Sequence, residues 1–184
     1  DLAICDEHGV DAVFTPEAGE MYPRENLTWV HVEKLTDRLC GESRPGHFRG
    51  VATVCAKLFH IVGPDVAFFG QKDAQQAVVI RRMVADLDMP LEIIVCPTVR
   101  EPDGLAMSSR NQYLSPQERR EAVAVYRSLS RCRESIEAGE RDADALRTRM
   151  REILQQVPSM RIEYVSIADA ETLKELQRVR GRAL

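Results

Sequence analysis

The stretch VAFFGQKDAQQAVVIRRMV, residues 66–84, holds the pattern that decides the fold. Its first four residues form an apolar run that stops at Gly70, and such a run is typical of a buried strand. Apolar residues then recur at helical spacing over 75–87, and a second apolar run follows at 91–96. This order predicts a βαβ unit, in which the two strands run parallel and are joined by a right-handed crossover.

The alternation of strands and helices extends toward the N-terminus. Short apolar and β-branched runs predict strands at 10–14 and 28–32, with a short helix over 33–39. A helical apolar period over 48–62, followed by a Gly-Pro pair, predicts a longer helix. Strands that are apolar on both faces and alternate with helices predict the α/β class, with a parallel sheet covered on both sides.

A different pattern begins after Pro97. The predicted elements of this part are a polar loop, two capped helices and an alternating strand, at 100–111, 115–138, 142–157 and 161–167. This mixture is typical of an α+β unit. We therefore place a domain boundary near residue 98, between a parallel-sheet domain over 1–98 and a small α+β domain over 99–184.

Composition and charge argue against several classes of function. The 184-residue chain is 44% apolar and carries a formal net charge of −4 at pH 7, whereas domains that bind nucleic acid through bulk charge are usually basic. No apolar run approaches the roughly 18 residues of a membrane span, and the N-terminus shows no signal-peptide pattern. The five cysteines are scattered without a C-x-x-C pair, which indicates free thiols in a reducing cytoplasm and no metal site.

Two polar clusters follow the two strands of the predicted βαβ unit. The first is Gly70-Gln71-Lys72-Asp73, and the second is Met107-Ser108-Ser109-Arg110, in the loop after the second strand. Because the carboxyl ends of parallel strands meet at one edge of a sheet, we expect both clusters at that edge. Ligands of open α/β sheets bind there.

The residue types in the two clusters suit a nucleoside triphosphate. Gly70 lets a ligand approach the backbone closely, and the helix that follows offers free N–H groups and its positive dipole end to an anion. Lys72 adds a compact positive charge for phosphate. Ser108 and Ser109 are hydroxyl donors, and Arg110 can bind phosphate oxygens in a bidentate manner.

Each cluster also has a simpler explanation that needs no ligand. Asp73 could be a helix N-cap, with Gln76 three residues later completing a capping box. Lys72 could be a solvated surface charge, and residues 108–111 could form an ordinary polar turn.

A third polar cluster, SRPGHFRG at residues 43–50, precedes the helix over 48–62. A Pro-Gly turn with Arg44, Arg49 and His47 at a helix start could also hold an anion. His47 could equally be an ordinary residue of the first helical turn.

Taken together, five segments of the chain closely resemble the pantothenate synthetase family. They cover most of residues 10–114 in the family's order, and the resemblance weakens after about residue 115. The segments are EMYP (20–23), SRPGHFRGV (43–51), KLF (57–59), PDVAFFGQKDAQQ (64–76) and PTVREPDGLAMSSRNQYL (97–114).

The resemblance implies an ATP-dependent ligase. Enzymes of this family use ATP and Mg²⁺ to join pantoate to β-alanine through an enzyme-bound pantoyl adenylate, and they release pyrophosphate and AMP. The implied fold is a Rossmann-like nucleotidyltransferase domain, here its C-terminal part over 1–98, with a small C-terminal lid domain over 99–184. A cytoplasmic homodimer is also implied.

The resemblance assigns the first cluster and Gln76 to the substrates. Gly70 and Asp73 are expected at the ATP ribose, and Lys72 is expected to bind phosphate and to stabilise the charge of the transferring group. Gln71 belongs to the same ATP-binding turn and stands where the family commonly has an acidic residue. Gln76 is expected to hydrogen-bond pantoate.

The resemblance assigns the second cluster and Val99 to ATP. Val99 and Met107 are expected at the adenine edge, with Ser108, Ser109 and Arg110 on the phosphates. Together with Lys72, these two serines and the arginine are the predicted catalytic residues, and no metal-ligating residue is predicted.

The sequence also departs from the family pattern. The family's first nucleotide signature, a Pro-Thr-Met-Gly stretch leading to His-x-Gly-His, is absent, and so are a Gln that helps bind pantoate and the last strands of the lid domain. Residues 1–9 read as the end of a helix and 181–184 as the beginning of an apolar run. We therefore expect a fragment of a longer protein, with no useful synthetase activity by itself.

Two other interpretations stay open. One is another adenylyl-transferring nucleotidyltransferase of similar fold. The other is a non-catalytic nucleotide-binding or interaction module, which the missing His-x-Gly-His makes conceivable.

Overall fold

A computed structural model describes residues 2–184 of the chain. The helices in this range include six of six residues or more and two single turns, and the strands form one pair. In chain order the elements are α1 Leu2–Glu7, α2 Ala18–Met21, α3 Cys40–Ser43, α4 His47–Val62, β1 Val66–Gly70, α5 Ala74–Asp86, β2 Glu92–Cys96, α6 Pro116–Glu121, α7 Val123–Glu137 and α8 Ala143–Gln155.

Strands β1 and β2 pair in parallel, with helix α5 between them in the chain. The register aligns Gly70 with Cys96, the last residues of the two strands. The predicted βαβ unit and the α/β class are therefore confirmed. The segments that follow the two strands start side by side at one edge of the sheet.

Helices α4 and α5 bury their apolar faces together with strand β2. Ala52 of α4, Val79 and Ile80 of α5, and Ile93 of β2 lie in one buried cluster. Helix α4 ends at Gly63, which has a positive φ of 60° and donates its N–H to the carbonyl of Phe59 at 2.9 Å. The predicted helix and its glycine stop are confirmed.

The predicted strands at 10–14 and 28–32 and the predicted helix over 33–39 are wrong. Among the described residues no strand pairs with 10–14 or 28–32, and a run without a hydrogen-bonded neighbour is no strand. The 33–39 segment is a series of turns. Val32 and Leu35 are buried all the same, so the apolar pattern identified core residues but not the element that carries them.

The helix predicted from Ser115 to about residue 138 is present but divided into α6 and α7 at Ala122. Its capping box is confirmed, because the Ser115 hydroxyl accepts from the N–H of Glu118 at 3.2 Å and the Glu118 carboxylate accepts from the N–H of Ser115 at 2.8 Å. Helix α8 begins after Asp142, whose carboxylate accepts from the N–H of Ala145 at 2.8 Å.

The strand predicted over 161–167 is also wrong. This segment runs without a strand partner among residues 2–184, although Val165 and Ile167 are buried beneath α7 and α8. Its alternating pattern therefore reflects burial on one side of an extended chain. No helix in the part of the chain that the structure describes combines the length and the apolar character needed to cross a membrane.

The buried residues form one larger cluster around α4, α5 and the sheet, and smaller ones around α7 and α8. Leu173 from the C-terminal part packs into the first cluster, so the two parts share some core. The boundary near residue 98 stays a prediction.

Candidate functional site

A cavity of about 510 Å³ lies between the two parts of the chain. Its apolar side comes from α7 and α8, including Val125, Leu129 and Leu154. Its polar side includes Arg44, His47, Lys72, Asp73 and Gln76. The cavity therefore brings the turn after β1 together with the third polar cluster of the sequence.

The turn after β1 is a single 3-10 turn, Gln71–Asp73, that leads directly into α5. The Lys72 ammonium lies 3.7 Å from the Asp73 carboxylate, and the two side chains are 41% and 66% exposed. Asp73 occupies the N-cap position of α5, but its side chain makes no capping hydrogen bond, so the capping-box explanation is wrong. The turn therefore presents a solvated Lys-Asp pair beside the start of a 13-residue helix.

Gln76 and its neighbour Gln75 both line the cavity, and Gln75 is the more buried of the two, at 8% exposed. Sequence reasoning missed Gln75. The signal was its place on the buried face of α5, four residues before Val79 and eight before Met83. A polar residue on such a face indicates a buried hydrogen-bonding role.

The loop after β2 contains a small hairpin between Val99 and Met107. The N–H of Met107 donates to the carbonyl of Val99 at 2.9 Å, and Arg100 and Ala106 form an antiparallel bridge. Val99 and Met107 are 66% and 52% exposed. The two residues predicted at the adenine edge are thus neighbours with their side chains in solvent.

This hairpin is held against helix α7 by its tip. The guanidinium of Arg100 lies over the ring of Tyr126, 4.5 Å from its centroid, and donates to the carbonyl of Gly104 at 3.0 Å. Asp103 forms an ion pair of 2.7 Å with Arg119, and this contact lowers the pKa of the Asp103 carboxyl. The position of Val99 and Met107 therefore depends on contacts with the C-terminal part.

Gly104→Ala is expected to destabilise the protein by about 2–4 kcal/mol in a urea titration. Gly104 has a φ of 95°, which strains any residue with a side chain, and an added Cβ would lie 1.9 Å from the ring of Tyr126. Gly139→Ala is the matched control, because Gly139 has a similar φ of 102° but nothing within 4 Å. Equal losses in the two variants would show that the Tyr126 contact does not constrain the hairpin.

The second polar cluster starts another 3-10 turn, Ser109–Tyr113. The Ser108 hydroxyl accepts from the N–H of Arg110 at 3.3 Å. Ser108 therefore helps to form the turn itself, as the polar-turn explanation predicted. Ser109 and Arg110 are exposed, and the guanidinium of Arg110 makes no hydrogen bond or ion pair with any described residue. The guanidinium of Arg110 is thus available to contact a ligand.

His47 is the first residue of α4 and lines the cavity together with Arg44 and Lys72. Burial, together with the positive charges of Arg44 and Arg110, lowers the pKa of His47 below the ordinary value for histidine. His47 and Lys72 line the same cavity, whereas the predicted ATP-binding residues Val99, Met107, Ser108, Ser109 and Arg110 are not among its lining residues. The cavity lining thus includes Arg44, His47 and Lys72, a set of side chains suited to an anionic ligand.

The side chains that line the cavity in the described part of the chain do not form a metal-binding site. Residues 2–184 contain no group of three or more His, Cys, Asp or Glu side chains that could hold one. Asp73 is the one acidic side chain among the described residues that line the cavity. The cavity is therefore chemically suited to an anion, and a metal ion would need most of its ligands from that anion.

Comparison with known proteins gives a consistent result. A family model described as pantoate-beta-alanine ligase matches residues 1–184. The chain is 58% identical over 176 residues to the pantothenate synthetase of Moorella thermoacetica, covering 96% of this chain and 62% of that protein. The crystal structure of pantothenate synthetase from Thermus thermophilus matches with a TM-score of 0.95 and 47% identity, over 100% of this chain and 66% of that one.

A third relative was solved with ligands. The pantoate-beta-alanine ligase of Francisella tularensis, complexed with beta-gamma ATP and beta-alanine, matches with a TM-score of 0.68 and 34% identity. The match covers 83% of this chain and 57% of that one. The chain thus spans less than two thirds of the length of these relatives.

Proposed function

The chain belongs to the pantoate–β-alanine ligase family, and from this premise we propose that the full protein joins pantoate to β-alanine using ATP. In the first step a carboxylate oxygen of pantoate attacks the α-phosphorus of ATP, which gives pantoyl adenylate and pyrophosphate. In the second step the amine of β-alanine attacks the acyl carbon and AMP leaves. The ligands of the Francisella tularensis relative, beta-gamma ATP and beta-alanine, support ATP and β-alanine as substrates.

The observation that carries this proposal is the parallel register of β1 and β2. Because Gly70 pairs with Cys96, the turn with Lys72 and the loop with Arg110 leave the sheet at one edge. We assign the ATP ribose to Gly70 and Asp73. This edge supplies cations from two separate segments, as a phosphate chain requires.

We assign the transferring phosphate to Lys72 and Arg110, with Ser108 and Ser109 as hydroxyl donors. Negative charge develops on the phosphoryl oxygens during transfer, and cations that are already in place lower that barrier. Neither Lys72 nor Ser109 has a capping or core role in the fold that would otherwise explain it. Gln76, half-buried at the cavity, is assigned to pantoate.

The adenine base is assigned to the hairpin that carries Val99 and Met107. Their exposed apolar side chains lie beside each other and offer a surface on which a planar base can stack. Gln71 keeps the turn polar without adding a negative charge near the phosphates. Mg²⁺, which neutralises phosphate charge when bound, would be held chiefly by the triphosphate, because Asp73 is the one acidic side chain in the described lining of the cavity and is assigned to the ribose.

Pyrophosphate exchange tests the proposed reaction. The full-length protein is expected to incorporate labelled pyrophosphate into ATP when pantoate is present, and not when pantoate is omitted or replaced by other small carboxylic acids. Exchange that depends on a different acid would indicate another adenylyl-transferring enzyme. ATP binding without any exchange would indicate a non-catalytic nucleotide-binding protein.

We also propose that the protein is a homodimer in the cytoplasm. The support is the family resemblance and five cysteines that are all free thiols, as is usual in a reducing compartment. Sedimentation at micromolar concentration distinguishes a dimer from a monomer.

A further inference from the structure

Gln75 makes more long-range hydrogen bonds than any of its neighbours at the start of α5. Its Nε2 donates to the carbonyls of Leu35 at 2.9 Å and Arg38 at 2.7 Å. Its Oε1 accepts from the N–H of Cys40 at 3.2 Å. The buried amide therefore uses both its donor and its acceptor groups on one distant segment, 35–40.

The backbone of this segment and its flanking residues, 34–41, is strained at two positions. Leu39 has a φ of 50° and a ψ of −121°, and Lys34 has a φ of 68°; both are unfavourable for residues with a side chain. Gly41 lies so close to the turn that an added Cβ would be 2.0 Å from the carbonyl oxygen of Thr36. The hydrogen bonds from Gln75 offset this strain from outside the segment.

A chain of hydrogen bonds leads from Gln75 to the cavity. Cys40, whose N–H is held by Gln75, accepts through its carbonyl from the N–H of Arg44 at 3.1 Å. The carbonyl of Arg44 in turn accepts from the N–H of His47 at 3.1 Å. The positions of Arg44 and His47 relative to α5, and hence to Lys72, therefore depend on the hydrogen bonds of the Gln75 amide.

We propose that Gln75 is a positioning residue of the ligase, which fixes α3 and thereby sets Arg44 and His47 opposite Lys72 across the cavity. The inference rests on the proposed function for its effect on catalysis. Gln75 borders the cavity, but it is only 8% exposed and its amide is bonded to the segment 35–40, so we expect it to act through that segment and not on a substrate. In this proposal Arg44 and His47 face the phosphates together with Lys72, so a small shift of the two residues weakens the stabilisation of transition-state charge, which requires preorganised groups, more than the binding of ATP.

Gln75→Met tests this role with a side chain of similar size that makes no hydrogen bonds. The kcat for pantoate-dependent pyrophosphate exchange is expected to fall about tenfold or more, while the Kd for ATP changes less than about threefold. Gln117→Met is the matched control, because Gln117 is exposed and bonds only to Glu121 in its own helix. Equal losses in kcat and ATP affinity in Gln75→Met would overturn the proposal.

Gln75→Glu adds a pH-dependent readout. A carboxylate at this position can accept from Cys40 but cannot donate to Leu35 or Arg38, whereas the protonated form regains one donor. Burial raises the pKa of a carboxyl group, so the protonated fraction grows as the pH falls from about 8 to about 6. The kcat of this variant relative to the unmodified enzyme is expected to rise over that range, and a flat ratio would count against the proposal.

Two measurements by NMR separate this inference from the proposed reaction. In Gln75→Met the amide proton of Cys40 is expected to exchange at least about tenfold faster, because its acceptor is lost. The pKa of His47 is expected to rise, since Arg44 is no longer held beside it. If the unmodified protein lacks pyrophosphate exchange but Gln75→Met shows both NMR changes, the positioning role stands and the proposed reaction falls. If neither the amide-proton exchange of Cys40 nor the pKa of His47 changes in Gln75→Met, the positioning role is overturned.

Discussion

Lys72→Ala is expected to lower the rate of pantoyl-adenylate formation by about 10²–10³-fold, the usual effect of removing one preorganised group from a site of developing negative charge. Lys72 is a compact cation on the turn that leads into α5, and its side chain lines the cavity. The affinity for ATP, measured by calorimetry, is expected to fall as well, because the ground-state triphosphate also contacts the ammonium group.

The variant should retain its fold. The pair that Lys72 forms with Asp73 is largely exposed at 3.7 Å, and such pairs contribute little to stability. Lys174→Ala is a suitable control, since Lys174 is exposed and borders a different cavity. Unchanged ATP affinity in Lys72→Ala would remove Lys72 from the site.

The sequence alone was sufficient for those elements whose pattern is local. The βαβ unit over 66–96 follows from two continuous apolar runs around a helical period, and the capping box at Ser115 follows from residue types three apart. The runs at 10–14 and 28–32 have the same composition as strands, but a strand is defined by its hydrogen-bonded neighbour. The pattern within one run carries no information about that neighbour.

In the candidate site, too, features with a local sequence pattern could be predicted, and features that depend on distant contacts could not. The polar clusters could be found because each follows a strand of the parallel pair, and ligands of open α/β sheets bind at the carboxyl ends of such strands. The meeting of Arg44 and His47 with Lys72 at one cavity could not be found, because it depends on how the segment before α4 packs against the turn after β1. Gln75 was missed because the chemistry of the adjacent Gln76 accounted for the motif without it.

Arg110→Ala is expected to slow adenylate formation by about 10–10²-fold while the affinity for pantoate changes much less. Arg110 is exposed and has no partner among the described residues, so its removal does not disturb the fold. Its planar guanidinium can hold two phosphate oxygens at once, and this contact strengthens as charge moves onto the phosphoryl group. Single-turnover formation of AMP and pyrophosphate, with pantoate binding measured separately, distinguishes the two effects.

The same variant has a second expected result that does not depend on catalysis. The positive charge of Arg110 is one cause of the low pKa of His47, so its loss raises the pKa of His47, which NMR titration can measure. Arg110→Lys keeps the charge without the bidentate geometry and should restore the His47 titration more fully than the rate. Arg120→Ala, on the exposed side of α6, should change neither. A defect confined to pantoate affinity in Arg110→Ala would contradict the assignment, because a residue on the phosphates must act on the step that breaks the bond between the α- and β-phosphates.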